Sequence, residues 1–116
     1  MDDIIKHIEH DGDLINFSIN TNHKVFTGHF PEYPILPGVF EMYIIHKIIE
    51  YKLTFSINLV TVEIVKFLIP ILPSKNKTFS FYIKSYETSK NNIKIDCQIM
   101  NEGKTICSFL GIFNKI

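Results

Sequence analysis

The chain has 116 residues, with 12 Lys and Arg against 12 Asp and Glu, and 46% of its residues are hydrophobic. This length and composition predict one compact domain over residues 1–116, and they argue against a disordered chain. The formal net charge of zero argues against a dedicated nucleic-acid binder, which needs a basic excess. The acidic N-terminus and the absence of a long uninterrupted apolar run predict a cytoplasmic protein without a leader or membrane span.

The first third of the chain predicts a β-hairpin followed by a stiff loop. Apolar residues alternate with polar ones in Leu14–Asn20, and Asp11-Gly12 is a turn signal between this segment and Ile4–His10. From Thr21 to Pro37 the alternation stops and three prolines follow one another closely. Because proline fixes φ and lacks a backbone donor, this segment is expected to be an extended loop.

The rest of the chain predicts one buried helix and four strands. Residues Val39 to Glu50 are apolar nearly all round, as expected for a helix enclosed by other elements. The strand patterns that follow are Thr54–Ile69, Lys77–Tyr86, Ile93–Ile99 and Thr105–Phe113. This order of elements predicts the α+β class, with an antiparallel sheet curled around a single central helix.

Cysteine and most histidine residues carry no functional pattern. Cys97 and Cys107 are too few for a disulfide framework and lack metal-ligand spacing, so we expect two small buried thiols and no metal site. His7, His10 and His23 stand outside any motif and are expected at the surface.

The segment from Phe26 to Val39 reads FTGHFPEYPILPGV, and it closely resembles the signature loop of the FabA/FabZ-type 3-hydroxyacyl-acyl-carrier-protein dehydratases. A weaker similarity covers VKFLIP at 65–70 with Pro73, and the hairpin at 101–107 resembles the closing strands of that family. The short length is more like a compact dehydratase-like branch associated with polyketide and aryl-polyene clusters. The resemblance implies the hot-dog fold, in which an antiparallel sheet wraps around one central helix.

The loop also suits the chemistry of dehydration. Removing a proton next to a thioester carbonyl needs a base near neutral pH, and histidine is the best suited side chain. The N–H groups where the helix begins are unpaired and lie at the positive end of its dipole. The resemblance implies the same roles, with His29 as the base and the N–H groups near Gly38 and Val39 binding the thioester oxygen. This chemistry needs no metal or organic cofactor, and none is suggested.

The acid of the family does not carry over directly. Its position on the central helix is occupied here by Tyr43, and the nearest carboxylate, Glu41, is two residues earlier. Two helical positions turn a side chain by roughly 200°. Three hypotheses stay open: Glu41 is only a first-turn acid favoured by the helix dipole, Tyr43 is the proton donor with His46 tuning it, or a related partner subunit supplies the acid.

The expected ligands are an acyl chain and its carrier. Phe30, Ile35, Phe40 and Phe67 are candidates for lining an acyl tunnel, and each could equally be plain core. Residues 66–104 hold seven Lys against three acids, which is either a solvated face or a docking surface for an acidic acyl carrier protein. We expect at least a homodimer, or a heterodimer with a related subunit. The alternatives to a dehydratase are a non-catalytic acyl-binding partner subunit and a hot-dog thioesterase.

Overall fold

The computed structural model describes residues 3–28, 34–73 and 78–116. The elements are β1 (Ile5–Asp11), β2 (Leu14–Ile19), α1 (Val25–Gly28), α2 (Gly38–Leu53), β3 (Ile57–Phe67), β4 (Thr78–Ser89), β5 (Asn92–Asn101) and β6 (Lys104–Lys115). The strands form an antiparallel sheet in the order β1-β2-β4-β5-β6-β3. The α+β prediction of a sheet curled around one helix is therefore confirmed.

Tight turns join the sequential strands because their residues accept left-handed backbone angles. Gly12 has φ +62° in the β1–β2 turn, and Lys90 has φ 55° between β4 and β5. Both central residues of the β5–β6 turn, Glu102 and Gly103, have positive φ, at 51° and 76°. This pattern matches the right-handed twist of the strands and sets the register of the hairpin.

The core lies between α2 and the inner face of the sheet. Four isoleucines on one side of α2 are completely buried, namely Ile44, Ile45, Ile48 and Ile49. The alternating residues of β2, β4 and β5 pack over them, as the period of two in those segments predicts. The expectation that the helix would be enclosed is confirmed.

Hydrogen bonds to Ile57 fasten the end of α2 to the start of β3. The Ile57 N–H donates to Glu50 Oε2 at 2.9 Å, and His46 Nε2 donates to the Ile57 carbonyl at 2.9 Å. Burial alone raises the pKa of Glu50, but the Ile57 N–H and the nearby Lys47 and His46 outweigh burial and lower it below the ordinary value. The chain turns here at Thr54, whose φ of 66° places it in the left-handed region that ends many helices.

The segment predicted as a loop from Thr21 to Pro37 contains a short helix. α1 occupies Val25–Gly28, and Phe26 from this helix is buried in the core. The burial of one aromatic residue on a single helical turn explains why the proline pattern alone did not reveal it. In the part of the chain that the structure describes, neither helix has the length and apolarity needed to cross a membrane.

Gly111 on β6 permits the close approach of β3. A Cβ at this position would lie 2.8 Å from the Thr61 carbonyl oxygen and 2.6 Å from the ring of Phe109. We expect Gly111→Ala to destabilise the fold by about 1–3 kcal/mol, because backbone atoms cannot move aside as a side chain can. Urea unfolding measures this change, with Ser108→Ala on the same strand as control. Equal stability of both variants would contradict this account of the packing.

Candidate active site

The start of α2 presents backbone donors that have no partner among the described residues. Pro37 precedes the helix in an extended conformation (φ −61°, ψ 147°), and its carbonyl accepts from the N–H groups of Phe40 and Glu41 at 2.9 and 3.3 Å. The N–H groups of Gly38 and Val39 donate no hydrogen bond to any residue in the described ranges. Two donors at the positive end of the helix dipole are therefore available to an oxygen of a ligand.

The ring of Phe67 covers Gly38. A Cβ on Gly38 would lie 2.8 Å from the Phe67 Cζ atom, so any larger residue here would have to displace this ring. The space next to the Cα atom of Gly38 is therefore filled by the Phe67 ring. The donors themselves are not replaced by the ring, since they are main-chain N–H groups. Phe67 remains 48% exposed, so its other face is open to a ligand or partner.

Glu41 is buried inside the fold. Only 3% of the residue is exposed, and its Oε1 atom has no hydrogen-bond partner among the residues that the structure describes. It shares the inner side of α2 with Ile45 and Ile48, as the helical spacing predicts. Burial raises the pKa of Glu41 to about 8, so the carboxyl group holds its proton at neutral pH. Glu41 lies in the first turn of α2, as one of the three hypotheses states, and it faces the core there because the buried stripe of the helix begins at this residue.

Cys107 of β6 lies near this carboxyl group. Burial raises the pKa of Cys107 to about 12, and the neighbouring Glu41 adds to the rise. Burial also raises the pKa of Cys97, with Cys107 and Asp96 contributing. Cys97 pairs across the sheet with Phe109, and Cys107 pairs with Ile99, so the two cysteines are not directly opposite each other. Both are free buried thiols, which confirms the prediction.

The other candidates are spread around α2. Tyr43 lies on a different side of the helix from Glu41, partly buried, with the Lys47 ammonium 5.9 Å from its ring centre. Phe40 packs against the ring of His23, and Ile35 is half-buried before the helix. His46 Nε2 donates to the Ile57 carbonyl, and the role of His46 in tuning Tyr43 stays a prediction.

Two candidates cannot be placed. His29 and Phe30 lie outside the described residues. The chain on either side is described: α1 ends at Gly28, and Leu36 donates a hydrogen bond to the carbonyl of the buried Ile71 at 2.9 Å. The role of His29 therefore stays a prediction from the sequence.

His23 is a buried histidine, contrary to the expectation that it lies at the surface. It was expected at the surface with His7 and His10, which are indeed exposed, but only 5% of His23 is exposed. Its imidazole accepts the Val25 N–H two residues ahead, a pattern usually made by Asn or Asp. A polar residue two positions before the apolar pair Val25-Phe26 was the available signal.

An exposed apolar edge runs along β3. This strand ends the sheet and pairs only with β6 among the described strands. Its exposed apolar residues include Leu59, Val60, Ile64 and Phe67, followed by Leu68, which is 55% exposed. A long apolar edge strand carries unpaired backbone groups that favour addition of another strand. Within the described ranges, no group of three or more His, Cys, Asp or Glu side chains could hold a metal ion.

This six-stranded antiparallel sheet around a central helix is the hot-dog fold, and solved structures of this fold resemble it. The dehydratase heterocomplex ApeI:P from Xenorhabdus doucetiae aligns with TM-score 0.70 and 21% identity, over 98% of this chain and 99% of that one. A thioesterase from Haemophilus influenzae aligns with TM-score 0.67 and 14% identity, over 99% and 80%. A mutant thioesterase from Pseudomonas aeruginosa aligns with TM-score 0.68 and 12% identity, over 97% and 81%.

The family follows from the sequence. A family model described as ApeI dehydratase matches residues 6–109, and the chain therefore belongs to the ApeI-like family. No curated protein matches the chain. The expectation of a dehydratase-like hot-dog family is confirmed at this level.

The buried Glu41 makes stability depend on pH. In the unfolded chain its carboxyl group ionises near pH 4.5, whereas in the folded chain it keeps its proton up to about pH 8. The contribution of Glu41 to the free energy of unfolding is therefore most favourable below pH 4.5 and becomes less favourable as the pH rises to about 8. Between these pH values we expect the free energy of unfolding of Glu41→Gln to rise relative to that of the wild type by on the order of a few kcal/mol, because the amide does not titrate.

Urea unfolding at pH 5, 6.5 and 8 measures the difference in unfolding free energy between Glu41→Gln and the wild type. Glu9→Gln, at an exposed position on β1, is the matched control. If the difference between Glu41→Gln and the wild type were constant with pH, or if Glu9→Gln showed the same change with pH, Glu41 would not be a buried protonated carboxyl group.

Proposed function

We propose that this protein dehydrates 3-hydroxyacyl thioesters carried on an acyl carrier protein, giving the 2-enoyl thioester and water. Membership of the ApeI-like family supports a reaction of this type. The observation that carries the proposal is the buried Glu41, protonated at neutral pH and one helical turn from the free N–H groups of Gly38 and Val39.

Each of the proposed site residues has its own role in the reaction. His29 removes the proton from the carbon next to the carbonyl, and the electrons of that C–H bond form the C=C bond. The C–O bond to the 3-hydroxyl breaks, and the hydroxyl leaves as water with the proton of Glu41. The N–H groups of Gly38 and Val39 bind the thioester oxygen while negative charge develops on it. Proton transfer from the His29 imidazolium to the Glu41 carboxylate restores the site.

Glu41 is a better proton donor than Tyr43. A phenol has an ordinary pKa near 10, whereas a carboxyl group with a pKa of about 8 is matched more closely to neutral pH. The two side chains also lie on different sides of α2, and only Glu41 is on the interior side. The acid is therefore displaced by two positions relative to the family pattern that the sequence resembles.

The same carboxyl group argues against a thioesterase. Two of the similar structures are thioesterases, and a carboxylate that activates water must be ionised to accept a proton. Glu41 holds its proton at neutral pH and is poorly suited to that role. A non-catalytic acyl-binding subunit is the other alternative, and the assay below separates all three.

We also propose that β3 pairs with a second hot-dog subunit. The strand is a sheet edge with a half-exposed apolar surface, and burying it would remove several apolar side chains from water. The similarity to a protein from a dehydratase heterocomplex supports a subunit partner of the same fold. We take a second copy of this chain as the partner and a related subunit as the alternative.

The carrier partner is proposed from charge. Exposed lysines occur along β3 to β6 at positions 66, 84, 90, 94 and 104, and Lys94 is 3.5 Å from Glu63. The others offer cationic groups to an acidic carrier protein. A carrier-bound substrate of this kind is consistent with action in the cytoplasm.

The central test follows 3-hydroxyacyl and 2-enoyl thioesters on a carrier, together with the release of free thiol. We expect enoyl formation by the wild type, none by His29→Ala, and a loss of about 10²–10⁴-fold in kcat for Glu41→Gln. Dehydration should decline above pH 8 as Glu41 ionises. Glu9→Gln is the control for Glu41→Gln.

Each alternative has its own outcome in this assay. Thiol release without enoyl formation would show a thioesterase, and inactivity in both would show a binding subunit. A large loss in Tyr43→Phe with little change in Glu41→Gln would move the acid to Tyr43.

The subunit proposal predicts a loss of assembly when charge enters the edge of β3. Val60→Lys and Ile64→Lys place ammonium groups on half-exposed apolar positions of this strand, so we expect both to convert the dimer to monomer. Light scattering after size-exclusion chromatography measures the mass. Tyr86→Lys, at an equally exposed position on β4, is the control. A monomeric wild type would exclude the homodimer.

A further inference from the structure

His23 joins three separate segments of the chain. Its backbone N–H donates to the Asn20 carbonyl at 3.1 Å, and its own carbonyl accepts the Phe26 N–H at 3.2 Å. Its ring meets that of Phe40 edge to face, with 5.7 Å between centres and 70° between planes. Its Nε2 atom lies 3.0 Å from an Asp3 carboxylate oxygen. One buried ring therefore connects the N-terminal segment, α1 and the first turn of α2.

The hydrogen bonds define the protonation of the ring. The Val25 N–H donates to Nδ1 at 3.0 Å, so Nδ1 carries no proton. Nε2 then carries the proton and donates it to Asp3. Both ring nitrogens are engaged and 95% of the residue is buried, since only 5% is exposed. Contact between this ring and a substrate is therefore not expected.

The two elements that His23 connects are those that carry the proposed site. α1 has four residues and ends at Gly28, directly before His29 in the chain. A helix of this length is not stable alone and depends on its cap and on packing. Phe40 directly precedes Glu41 in the first turn of α2. The ring thus holds the segment leading into the base against the turn that carries the acid.

We infer that His23 is a positioning residue, which sets the approach of the chain to His29 relative to Glu41. The inference rests on the proposed function, since it assigns these two residues to one reaction. Placement errors of about 1 Å between reacting groups cost roughly 10²-fold in rate. A loss of the Nδ1 acceptor is expected to act mainly on kcat, because His23 does not bind substrate.

Two substitutions distinguish the role of Nδ1 of His23 from that of Nε2. His23→Asn places an amide oxygen near the position of Nδ1 and keeps the acceptor for the Val25 N–H. His23→Gln places its amide near Nε2 and loses that acceptor. His10→Asn is the control, because His10 is an exposed histidine whose ring stacks on Tyr51 at 5.1 Å.

The experiment measures kcat, KM and melting temperature for these variants, and records the ¹⁵N-labelled imidazole signals of His29. We expect His23→Gln to lower kcat about 10- to 100-fold with little change in KM and to shift the His29 signals. We expect His23→Asn to stay within a few-fold of the wild type and to leave those signals in place. His10→Asn should match the wild type.

Distinct results overturn the two proposals. If the wild type lacks dehydratase activity, or His29→Ala keeps it, the proposed function fails. If the wild type is active and His29→Ala is not, His23→Gln at wild-type kcat overturns the positioning role. Should His23→Gln fail to fold, His23→Asn still decides, since a folded His23→Asn with a 10-fold lower kcat and shifted His29 signals overturns the role of the Nδ1 acceptor.

Discussion

Burial of the isoleucine side of α2 is the constraint on which the rest of the structure depends. Ile44, Ile45, Ile48 and Ile49 leave no part of that side open to water, so the sheet has to close over the helix. Glu41 continues the same stripe one turn towards the N-terminus and is drawn into the interior with it. An ionisable group is thus buried by its apolar neighbours along the helix rather than by a partner of opposite charge.

The candidate site gathers at one end of this core. The end of β3 contributes Phe67, β6 contributes Cys107 and α2 contributes Gly38 and Glu41, while His23 contacts Phe40 in the first turn of α2. Phe67, Cys107, Gly38 and Glu41 are held by backbone pairing or by close packing, and His23 is held in addition by its contact with Asp3. Such a site is fixed before a ligand arrives, which reduces the reorganisation required during a reaction.

The sequence allowed the sheet to be predicted more completely than the site. The alternation in β2 and the Glu102-Gly103 turn are local signals, and local signals determine hairpins. The helical spacing also placed Glu41 with Ile45 and Ile48. The degree of burial of Glu41 could not be predicted from the sequence, because it depends on how far the sheet closes over the first turn of α2. The role of His23 depends on contacts with Asp3 and Phe40 at sequence distances that no local pattern reports.

The environment of Cys107 has a chemical consequence for a site of this kind. A 2-enoyl thioester is an electrophile, and thiolates add to its double bond, whereas protonated thiols do so far more slowly. Cys107 lies close to the carboxyl group proposed to protonate the leaving hydroxyl, yet its own proton is held tightly by the apolar surroundings. In the proposed reaction, a Cys107 thiol that keeps its proton would leave the 2-enoyl thioester unmodified.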